Sequence, residues 1–539
     1  MSDWEKTKQY HHDSKHSYHR SAPGPGYMDW ENQPDPFRRY DGAEVVDLIK
    51  TPLDTKPFYH EALSCNAISP QPLNIETLSQ LLFDSLAISA WKSFQGSTWA
   101  LRVNPSSGNL HPTEGYIICG PVEGLNNSPS VSHYCPKIHG LEIRTPLPIQ
   151  TWGKMSEGFP ENTFFIGLSS IYWREAWKYG LRAFRYCNHD VGHALAAINI
   201  ASSVLGWRTQ MMDQLGRNDL KILMGLTNSD GDEVEVPDCL IAISPEPIIE
   251  PLMTNNFIED FSTLEWSGTS NNLSQHPNLW PGILEISQAT QKPSTVSINH
   301  SDSKNSLAPT PLQQDSFSMR KAIHQRRSAV AMDGVTQISR ETFYQFMITS
   351  NPDTCPPAFQ TISWAPQIHL GLFVHRIDGL PPGLYFLVRN KKHLKDLKNK
   401  FKKEFIWSRP EGCPQGLDLF ILQEGDFQGL ATSVSCGQEI AGKGCFSLGM
   451  IGAFENAAVN EDAWIYPRLY WECGVIGQML YLQSEVSNIR GTGIGCFFDD
   501  PVREIFGVKD LSYQSLYHFT AGGSVDDTRL SSLPAYPEG

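Results

Sequence analysis

Two segments, one in each half of the chain, carry residue types that together could bind a phosphorylated heterocycle. The N-terminal segment, residues 105–112, reads PSSGNLHP and places two hydroxyls, an amide and an imidazole between prolines. The polar groups of Ser106, Ser107 and Asn109 suit hydrogen bonds to the polar edge of a heterocycle. An ordinary polar turn is the alternative interpretation, but the density of hydrogen-bonding groups favours a binding site.

The C-terminal segment begins with a pattern suited to phosphate. Arg326 and Ser328 follow a predicted helix over residues 317–325, and two residues apart in an extended chain they point the same way. A guanidinium and a hydroxyl placed like this can share one phosphate. Arg529, shortly after the last predicted strand, could add a second cation. An Arg-x-Ser pattern by itself is common on protein surfaces and is only weakly specific.

A glycine-rich run, GTGIG at residues 491–495, also lies in the C-terminal half. Alternating glycines let the backbone of Thr492 and Gly493 approach a ligand closely and present amide N–H groups to it. A tight turn between a helix and a strand explains the run equally well. It is not a dinucleotide-binding fingerprint, because Cys496 stands where GxGxxG requires its third glycine.

Candidates for acid–base chemistry precede a long predicted helix. Lys178 and Tyr179 are adjacent and could act as an acid–base pair, although a charged cluster is more often a solvated face. His189 and His193 lie one helical turn apart, as in some metal sites. No further ligand cluster accompanies them, so we favour an ordinary helix start with Asp190 near the N-terminal dipole. We therefore predict no metal site.

The elements that would position these residues occur twice, in the same order. Asp190 and Gly192 match Glu472 and Gly474 at an offset of 474 − 192 = 282. Each pair is predicted to open a long amphipathic helix, and an apolar strand is predicted after each helix. Helices and strands mixed in this way predict an α+β fold in duplicate. A tandem repeat of this size should pack as an internal pseudo-dimer, which would let the chain be monomeric overall.

The length of 539 residues agrees with two domains, predicted at residues 1–253 and 315–539. Residues 254–314 are rich in Ser, Asn, Gln and Pro and are predicted to connect the two domains. Three apolar residues suggest that part of this connector lies on a domain surface: Trp266, Trp280 and Ile283.

Composition limits the classes of partner. A net charge of −15 argues against nucleic acid or an anionic membrane as the main partner. No stretch approaches the roughly 20 apolar residues that span a bilayer, and the polar N-terminus lacks an apolar signal core. The 11 cysteines are scattered and free of CxxC spacing, which predicts reduced thiols. We therefore expect a cytoplasmic protein.

Taken together, these motifs resemble the nitroreductase superfamily, and specifically its SagB-type (thiazole/oxazole oxidase-like) dehydrogenases, in tandem form. The resemblance runs from about residue 36 to residue 536. It implies nitroreductase-like domains that hold FMN at their interface. The second domain would bind the phosphate through Arg326, Ser328 and Arg529, and would place Thr492 and Gly493 near N5 of the ring. The first domain would contribute Ser106, Ser107 and Asn109 across the interface.

The resemblance also suggests a catalytic pair and a single site. Lys178 and Tyr179 look like the KY motif that azoline dehydrogenases use for proton abstraction. The first domain has Lys15-His16-Ser17 where Arg-x-Ser is expected and lacks the glycine run. The second domain lacks both PSSxN and the KY pair. One FMN per chain is therefore expected, with the other interface site degraded.

The function implied is that of an FMN-dependent oxidoreductase that dehydrogenates its substrate by hydride transfer to N5 of the flavin. An NAD(P)H-dependent nitro- or quinone reductase is the first alternative, since such enzymes stack the nicotinamide on the flavin without a dedicated fold. A redox-silent pseudo-dimer that binds a flavin or another ligand is the alternative outside enzymes. The retained arginines and glycines argue against it.

Overall fold

Two antiparallel sheets, one in each half of the chain, and the helices packed on them make up the fold. The computed structural model describes residues 1–248, 255–295, 316–457 and 462–536. The strands of the first half are β1 (Tyr40–Asp41), β2 (Glu44–Asp47), β3 (Ile88–Phe94), β4 (Ser97–Arg102), β5 (Thr113–Cys119), β6 (Ser130–Cys135), β7 (Gly140–Pro146), β8 (Phe164–Ile171), β9 (Arg208–Met211), β10 (Glu235–Ser244) and β11 (Thr269–Ser270). Its α-helices are α1 (Asp3–Asp13), α2 (Tyr59–Ala62), α3 (Ile75–Phe83), α4 (Ile149–Met155), α5 (Tyr172–Tyr179), α6 (Ala183–Val204), α7 (Arg217–Leu223), α8 (Ile258–Ser262) and α9 (Pro281–Ala289).

The second half repeats this mixture of strands and helices. Its strands are β12 (Ile338–Ser339), β13 (Ile368–Val374), β14 (Ile377–Asp378), β15 (Gly383–Leu387), β16 (Leu419–Glu424), β17 (Phe446–Gly452), β18 (Arg490–Ile494), β19 (Gln514–Gly522) and β20 (Ser531–Leu533). Its α-helices are α10 (Met319–Gln325), α11 (Arg340–Thr349), α12 (Leu394–Lys400), α13 (Gln428–Val434), α14 (Ile440–Lys443), α15 (Phe454–Ala457), α16 (Ile465–Val486) and α17 (Asp499–Phe506). Short 3₁₀ helices occupy Trp30–Asn32, Ser107–Asn109, Gly180–Arg182, Asn255–Phe257, Pro356–Phe359 and Lys391–His393.

The two large sheets have the same strand order. The first is β2-β7-β6-β5-β8-β10-β9, and the second is β16-β15-β13-β17-β19-β18. The first sheet has one extra edge strand, β2. When the other six strands of each sheet are numbered in chain order, both sheets have the spatial order 3-2-1-4-6-5. The strands expected after the long helices are β10 and β19, each next to the edge strand of its sheet.

The two long helices α6 and α16 cross at a pair of glycines. A Cβ atom on Gly192 would lie 2.2 Å from the carbonyl oxygen of Trp471, and one on Gly474 would lie 2.2 Å from that of His189. These contacts are reciprocal, because 471 − 189 and 474 − 192 both equal 282. A two-fold axis between the helices produces this geometry, in which each side meets the equivalent residues of the other.

The prediction that these glycine motifs open their helices is wrong. The helices begin at Ala183 and Ile465, so the motifs lie near their centres. The sequence did not predict that α6 begins at Ala183, because the charged residues Arg182 and Arg185 indicated a solvent-exposed segment there. Both arginines are buried, and each bonds the carboxylate of Asp499, at 3.0 Å and 2.5 Å respectively.

Much of the segment interpreted as a connector belongs to the folded structure. Residues 255–295 contain α8, β11 and α9, and β11 pairs with β1. Phe257, Phe261 and Ile283 are fully buried. The Ser- and Asn-rich composition concealed these apolar anchors, which are spaced too irregularly to show a period. Residue 254 and residues 296–314 lie outside the described residues.

The ends of the chain cross between the halves. Helix α1 packs on the second half, where His11 Nδ1 lies 3.1 Å from the Tyr466 hydroxyl. Lys15, expected at the phosphate-binding position of a second site, instead donates from Nζ to Asp500 Oδ1 at 2.7 Å. In the other direction, β20 from the C-terminal end adds to the β3–β4 hairpin of the first half. Each half therefore depends on the other for part of its structure.

No helix within the described ranges is both long enough and apolar enough to cross a membrane.

The glycine crossing leads to a stability prediction. Gly192→Ala should lower the free energy of unfolding by about 1–3 kcal/mol or more, because the new methyl meets backbone that cannot move aside. Gly153→Ala is the matched control, since Gly153 lies in α4 with no atom near its Cβ position. It should be neutral or stabilising by up to ~1 kcal/mol. Urea unfolding curves measure both, and equal stability of the two variants would contradict the crossing.

Candidate functional site

A cavity of about 980 Å³ lies where the two halves meet. That volume is at the upper end of the roughly 300–1,000 Å³ usual for small-molecule sites. Residues of both halves line it. From the first half come Ser106, Ser107, Asn109, His111, Tyr179, Tyr186 and Asp190, and from the second half come Arg326, Ser328, Tyr481, Arg490, Thr492, Gly493 and Cys496. The structure thus brings together most of the residues singled out from the sequence.

The Arg326–Ser328 segment enters the cavity from the end of α10. It runs parallel to the edge strand β18, and the amide of Ala329 donates to the carbonyl of Gly491 at 3.2 Å. Arg326 is 4% exposed and donates to the carbonyl oxygens of Val103 and Arg102, at 3.2 Å and 3.0 Å. Within the described part of the chain its guanidinium forms no ion pair. Burial lowers the pKa of Arg326, and an anion in the cavity would offset that desolvation.

The glycine run is an edge strand and not the loop expected from the sequence. Residues 490–494 form β18, paired on one side with β19. The Gly493 amide donates to the Tyr481 hydroxyl at 2.8 Å, and that hydroxyl also lies 2.8 Å from Ser328 Oγ. A Cβ on Gly493 would lie 2.0 Å from the Tyr517 hydroxyl, so glycine is required for this packing. Tyr481, which no sequence motif marked, connects the hydroxyl of the Arg-x-Ser pattern to the glycine strand.

The PSSGN loop faces that strand from the first half. Gly108, Asn109 and His111 have positive φ angles of 60°, 61° and 53°, so the backbone turns tightly in the left-handed region. The Asn109 side chain donates to the carbonyl of Ala100 at 2.8 Å, and its Oδ1 lies 2.9 Å from His111 Nε2. The Asn109 amide therefore fixes the shape of the loop, while Ser106 and Ser107 reach the carboxylates described next.

Two buried carboxyl groups lie against the serines. Ser106 Oγ lies 3.4 Å from Glu175 Oε1, and the Ser107 amide donates to Asp190 Oδ1 at 3.2 Å. Burial raises the pKa of Glu175 well above its usual value and raises that of Asp190 to about 7. Each carboxyl group keeps one oxygen without a hydrogen-bond partner among the described residues. Asp190 lines the cavity, so a group that can exchange a proton near neutral pH faces the ligand space.

Lys178 and Tyr179 close the end of α5 beside the same loop. Tyr179 lines the cavity, and a Cβ on Gly108 would lie 2.6 Å from its hydroxyl. Burial raises the pKa of Tyr179 well above 10, so the phenol is protonated at neutral pH and can donate a hydrogen bond. Lys178 Nζ lies 5.3 Å from the centre of the Tyr179 ring. It is not among the residues that line the cavity.

Arg529 does not occupy the position expected of a phosphate ligand. Its side chain is 73% exposed and does not line the cavity, although it pairs at 2.7 Å with Asp527, which does. The lining cation near the glycines is Arg490, which pairs with Glu485. The sequence did offer a signal for Arg490, because it immediately precedes the glycine run. Arg529 was chosen by its position after the last strand, which does not fix where the side chain points.

The position related to this cavity by the 282-residue offset is filled with side chains. Arg468, the counterpart of Tyr186, bonds the carboxylate of Asp213, which also accepts from Ser363 Oγ. The Arg468 guanidinium lies 4.8 Å from the ring centre of Trp364 and 4.6 Å from that of Trp464. A cavity of about 30 Å³ lies beside Arg468. The two interface positions therefore differ in the space that they offer a ligand.

The histidines of α6 bond protein atoms. His189 Nε2 lies 3.0 Å from the carbonyl oxygen of Leu516, and His193 Nε2 lies 3.2 Å from the Tyr517 hydroxyl. In the parts of the chain that the structure describes, no group of three or more His, Cys, Asp or Glu side chains is arranged to hold a metal ion.

Comparison with known proteins shows that the chain has a nitroreductase-like fold of mixed helices and strands. A crystal structure from Anabaena variabilis described as a "putative nitroreductase" matches with a TM-score of 0.68 and 20% identity, over 96% of this chain and 99% of that chain. A curated protein of Methanocaldococcus jannaschii with the same description is 24% identical over 159 residues, covering 28% of this chain and 75% of the relative. No protein-family model matches the chain. The structural likeness shows a shared fold.

The buried Asp190 predicts a pH dependence of stability. Its pKa of about 7 lies above the ordinary value of 3.8, so between these pH values the folded state holds a proton that the unfolded state has lost. The contribution of Asp190 to the free energy of unfolding therefore falls as pH rises from about 4 to 7. Asp190→Asn should flatten that fall.

Urea unfolding at several pH values between 4 and 7.5 measures the effect. Glu157→Gln, which removes one exposed carboxylate, should follow the wild-type curve. Parallel pH profiles for Asp190→Asn and the wild type would show that Asp190 ionises normally.

Proposed function

We propose that the protein is an FMN-dependent oxidoreductase whose flavin binds in the interface cavity, and that its two halves form an internal nitroreductase-like pseudo-dimer. We further propose a SagB-type dehydrogenase that oxidises a small-molecule or peptide-derived substrate. One observation carries the proposal. One cavity brings together groups from both halves. The second half contributes a hydroxyl, a glycine strand and a buried arginine that has no ion pair among the described residues, and the first half contributes a polar loop and a phenol.

The residues present fit a flavin phosphate. Arg326 and Ser328 would hold the phosphate, with Arg490 as the second cation in place of Arg529. A buried guanidinium that forms no ion pair with the described residues suits a phosphate dianion, because charge-assisted hydrogen bonds are the strong ones. The strand at Thr492 and Gly493, whose close packing requires glycine, would lie along the ring, with Ser106 and Ser107 opposite. When bound, FMN supplies a hydride acceptor at N5.

The chain would handle the proton that the substrate loses along with its hydride. Tyr179 is held protonated by burial and would donate a hydrogen bond to the substrate. Asp190 has a pKa near neutral and lines the cavity, so it is suited to accept a proton at working pH. Lys178 is adjacent to Tyr179 and does not line the cavity, so it would assist the proton transfer through Tyr179. The packing around the Gly108 loop would keep these groups in place.

An NAD(P)H-dependent nitro- or quinone reductase is the second candidate, favoured by the names given to the two similar proteins. Anaerobic stopped-flow mixing separates the two functions. Bleaching of bound flavin by a thiazoline peptide, with no bleaching by NADH or NADPH, supports the dehydrogenase. The reverse pattern supports the reductase. A colourless protein that cannot be reconstituted with FMN would leave only a redox-silent binding role.

The cofactor proposal predicts the effect of removing each cation. Arg326→Ala should weaken FMN binding by about tenfold to a hundredfold or more, since losing a charge-assisted bond costs ~1.5–3 kcal/mol. Arg490→Ala should weaken it in the same direction. Arg529→Ala is the matched control and should bind FMN as the wild type does, at one FMN per chain. Fluorescence titration of the apoprotein measures all four proteins.

Two results would contradict this assignment. Flavin loss in Arg529→Ala with full binding in Arg490→Ala would show that the late arginine reaches the phosphate. Two equivalents of FMN per chain would show that the position around Arg468 is a second site.

The acid–base proposal predicts loss of turnover without loss of cofactor. Lys178→Ala and Tyr179→Phe should each slow oxidation of a thiazoline peptide by about 10²- to 10⁴-fold, the usual contribution of an acid–base group. Flavin content should stay at the wild-type level in both. Lys154→Ala, an exposed lysine paired with Asp260, should leave turnover unchanged. Wild-type rates in Lys178→Ala would limit that lysine to a structural role.

A further inference from the structure

Two cysteines from distant parts of the chain meet at the edge of the cavity. The Sγ atoms of Cys436 and Cys496 lie 2.7 Å apart, not far beyond the roughly 2.05 Å of a disulfide bond. All 11 cysteines of the chain are free thiols in the structure. Cys496 is exposed and lines the cavity, and Cys436 is partly exposed, so reagents in solution can reach the pair.

The backbone on both sides holds the thiols together. The Gln438 side chain donates to the carbonyl oxygens of Ser435 and Cys496, both at 2.9 Å, and so bridges the two segments. The Phe498 amide donates to the carbonyl of Val434 at 2.8 Å, a second link. Cys436 itself has a φ of 55°, in the left-handed region that a residue other than glycine rarely adopts. The two thiols therefore meet through two anchored segments.

The surroundings make the two thiols unequal. The hydrogen bond between the two thiols lowers the pKa of Cys496 to about 7, and the nearby Arg182 guanidinium lowers it as well. The pKa of Cys436 is raised by the same hydrogen bond. Arg182 also donates to the carbonyl of Gly495 at 3.1 Å, which fixes this charge next to the exposed thiol. Cys496 is thus placed to attack first, and Cys436 to resolve the product.

We propose that Cys436 and Cys496 form a redox-active dithiol that exchanges with low-molecular-weight disulfides at the cavity edge. The Cys496 thiolate attacks one sulfur of the external disulfide, forming a mixed disulfide and releasing one thiolate. Cys436 then loses its proton and attacks the Cys496 sulfur, which releases the second thiolate and forms the intrachain disulfide. The two protein thiols are oxidised, and one external disulfide is reduced to two thiols. This site is separate from the proposed flavin chemistry, which needs neither cysteine.

Reaction of the reduced full-length protein with glutathione disulfide tests the proposal. The Cys65→Ser variant is the parent, because Cys65 is the other exposed cysteine. It should release two glutathione molecules per chain in one fast phase, retain none, and yield a linked peptide pair containing Cys436 and Cys496. The fast phase should be at least ~3-fold faster than that of a thiol of ordinary pKa. Thiol release and peptide mass mapping are the measurements.

Two further variants distinguish the roles of the thiols. Adding Cys436→Ser should leave one glutathione attached to Cys496 and release only one. Adding Cys496→Ser should abolish the fast phase. A stable glutathione adduct on the Cys65→Ser parent, or a linked pair that involves any other cysteine, would overturn the proposal. Because the parent keeps both cysteines, this result stands even where a double variant fails to fold.

Discussion

The close approach of two backbones at Gly192 and Gly474 is the constraint on which the rest of the structure depends. With a Cβ at either position, the long helices α6 and α16 would be pushed apart by a clash with backbone carbonyls. The helices carry the sheets of both halves, so their spacing sets the spacing of everything at the interface. The interface cavity exists because this crossing brings the PSSGN loop and the glycine strand to opposite sides of one space.

The same axis produces two interface positions, and side-chain chemistry decides which of them is open. Around Arg326 the walls are hydroxyls, glycines and phenols, which leave a large cavity. At the related position, the Arg468–Asp213 pair and the Trp364 and Trp464 rings fill the space. Each charge of this partly buried pair is satisfied by the other, and the Arg468 guanidinium lies within 5 Å of both ring centres, at 4.8 Å and 4.6 Å. The two halves thus share the same strand order, but their two interface positions differ in the space that they leave for a ligand.

Buried charge is arranged in opposite ways on the two sides of the cavity. Arg326, the cation that we propose for the phosphate, is desolvated and donates hydrogen bonds to carbonyl oxygens, which favours an incoming anion. Burial of the Glu175 and Asp190 carboxyl groups favours their protonated forms, and the hydrogen bonds from the two serines offset this only in part. Nearby, Arg182 and Arg185 are satisfied by Asp499 and tie α6 to the second half. Glu175 and Asp190 each keep one oxygen without a hydrogen-bond partner among the described residues, and Asp190 lines the cavity.

The sequence by itself predicted the mixture of helices and strands, the match between the two halves at an offset of 282 residues, and three motifs that meet in the cavity wall. These are local patterns: Arg-x-Ser, the glycine run and PSSGN each show in a few consecutive letters. Only the tertiary structure decided that Asp190 lies mid-helix beside Glu175, that Arg490 and not Arg529 reaches the cavity, and that residues 255–295 are folded. Those outcomes depend on burial and on contacts between residues far apart in the chain. Periodicity and composition do not predict such contacts, because they describe neighbouring residues in the chain and not residues that come together only on folding.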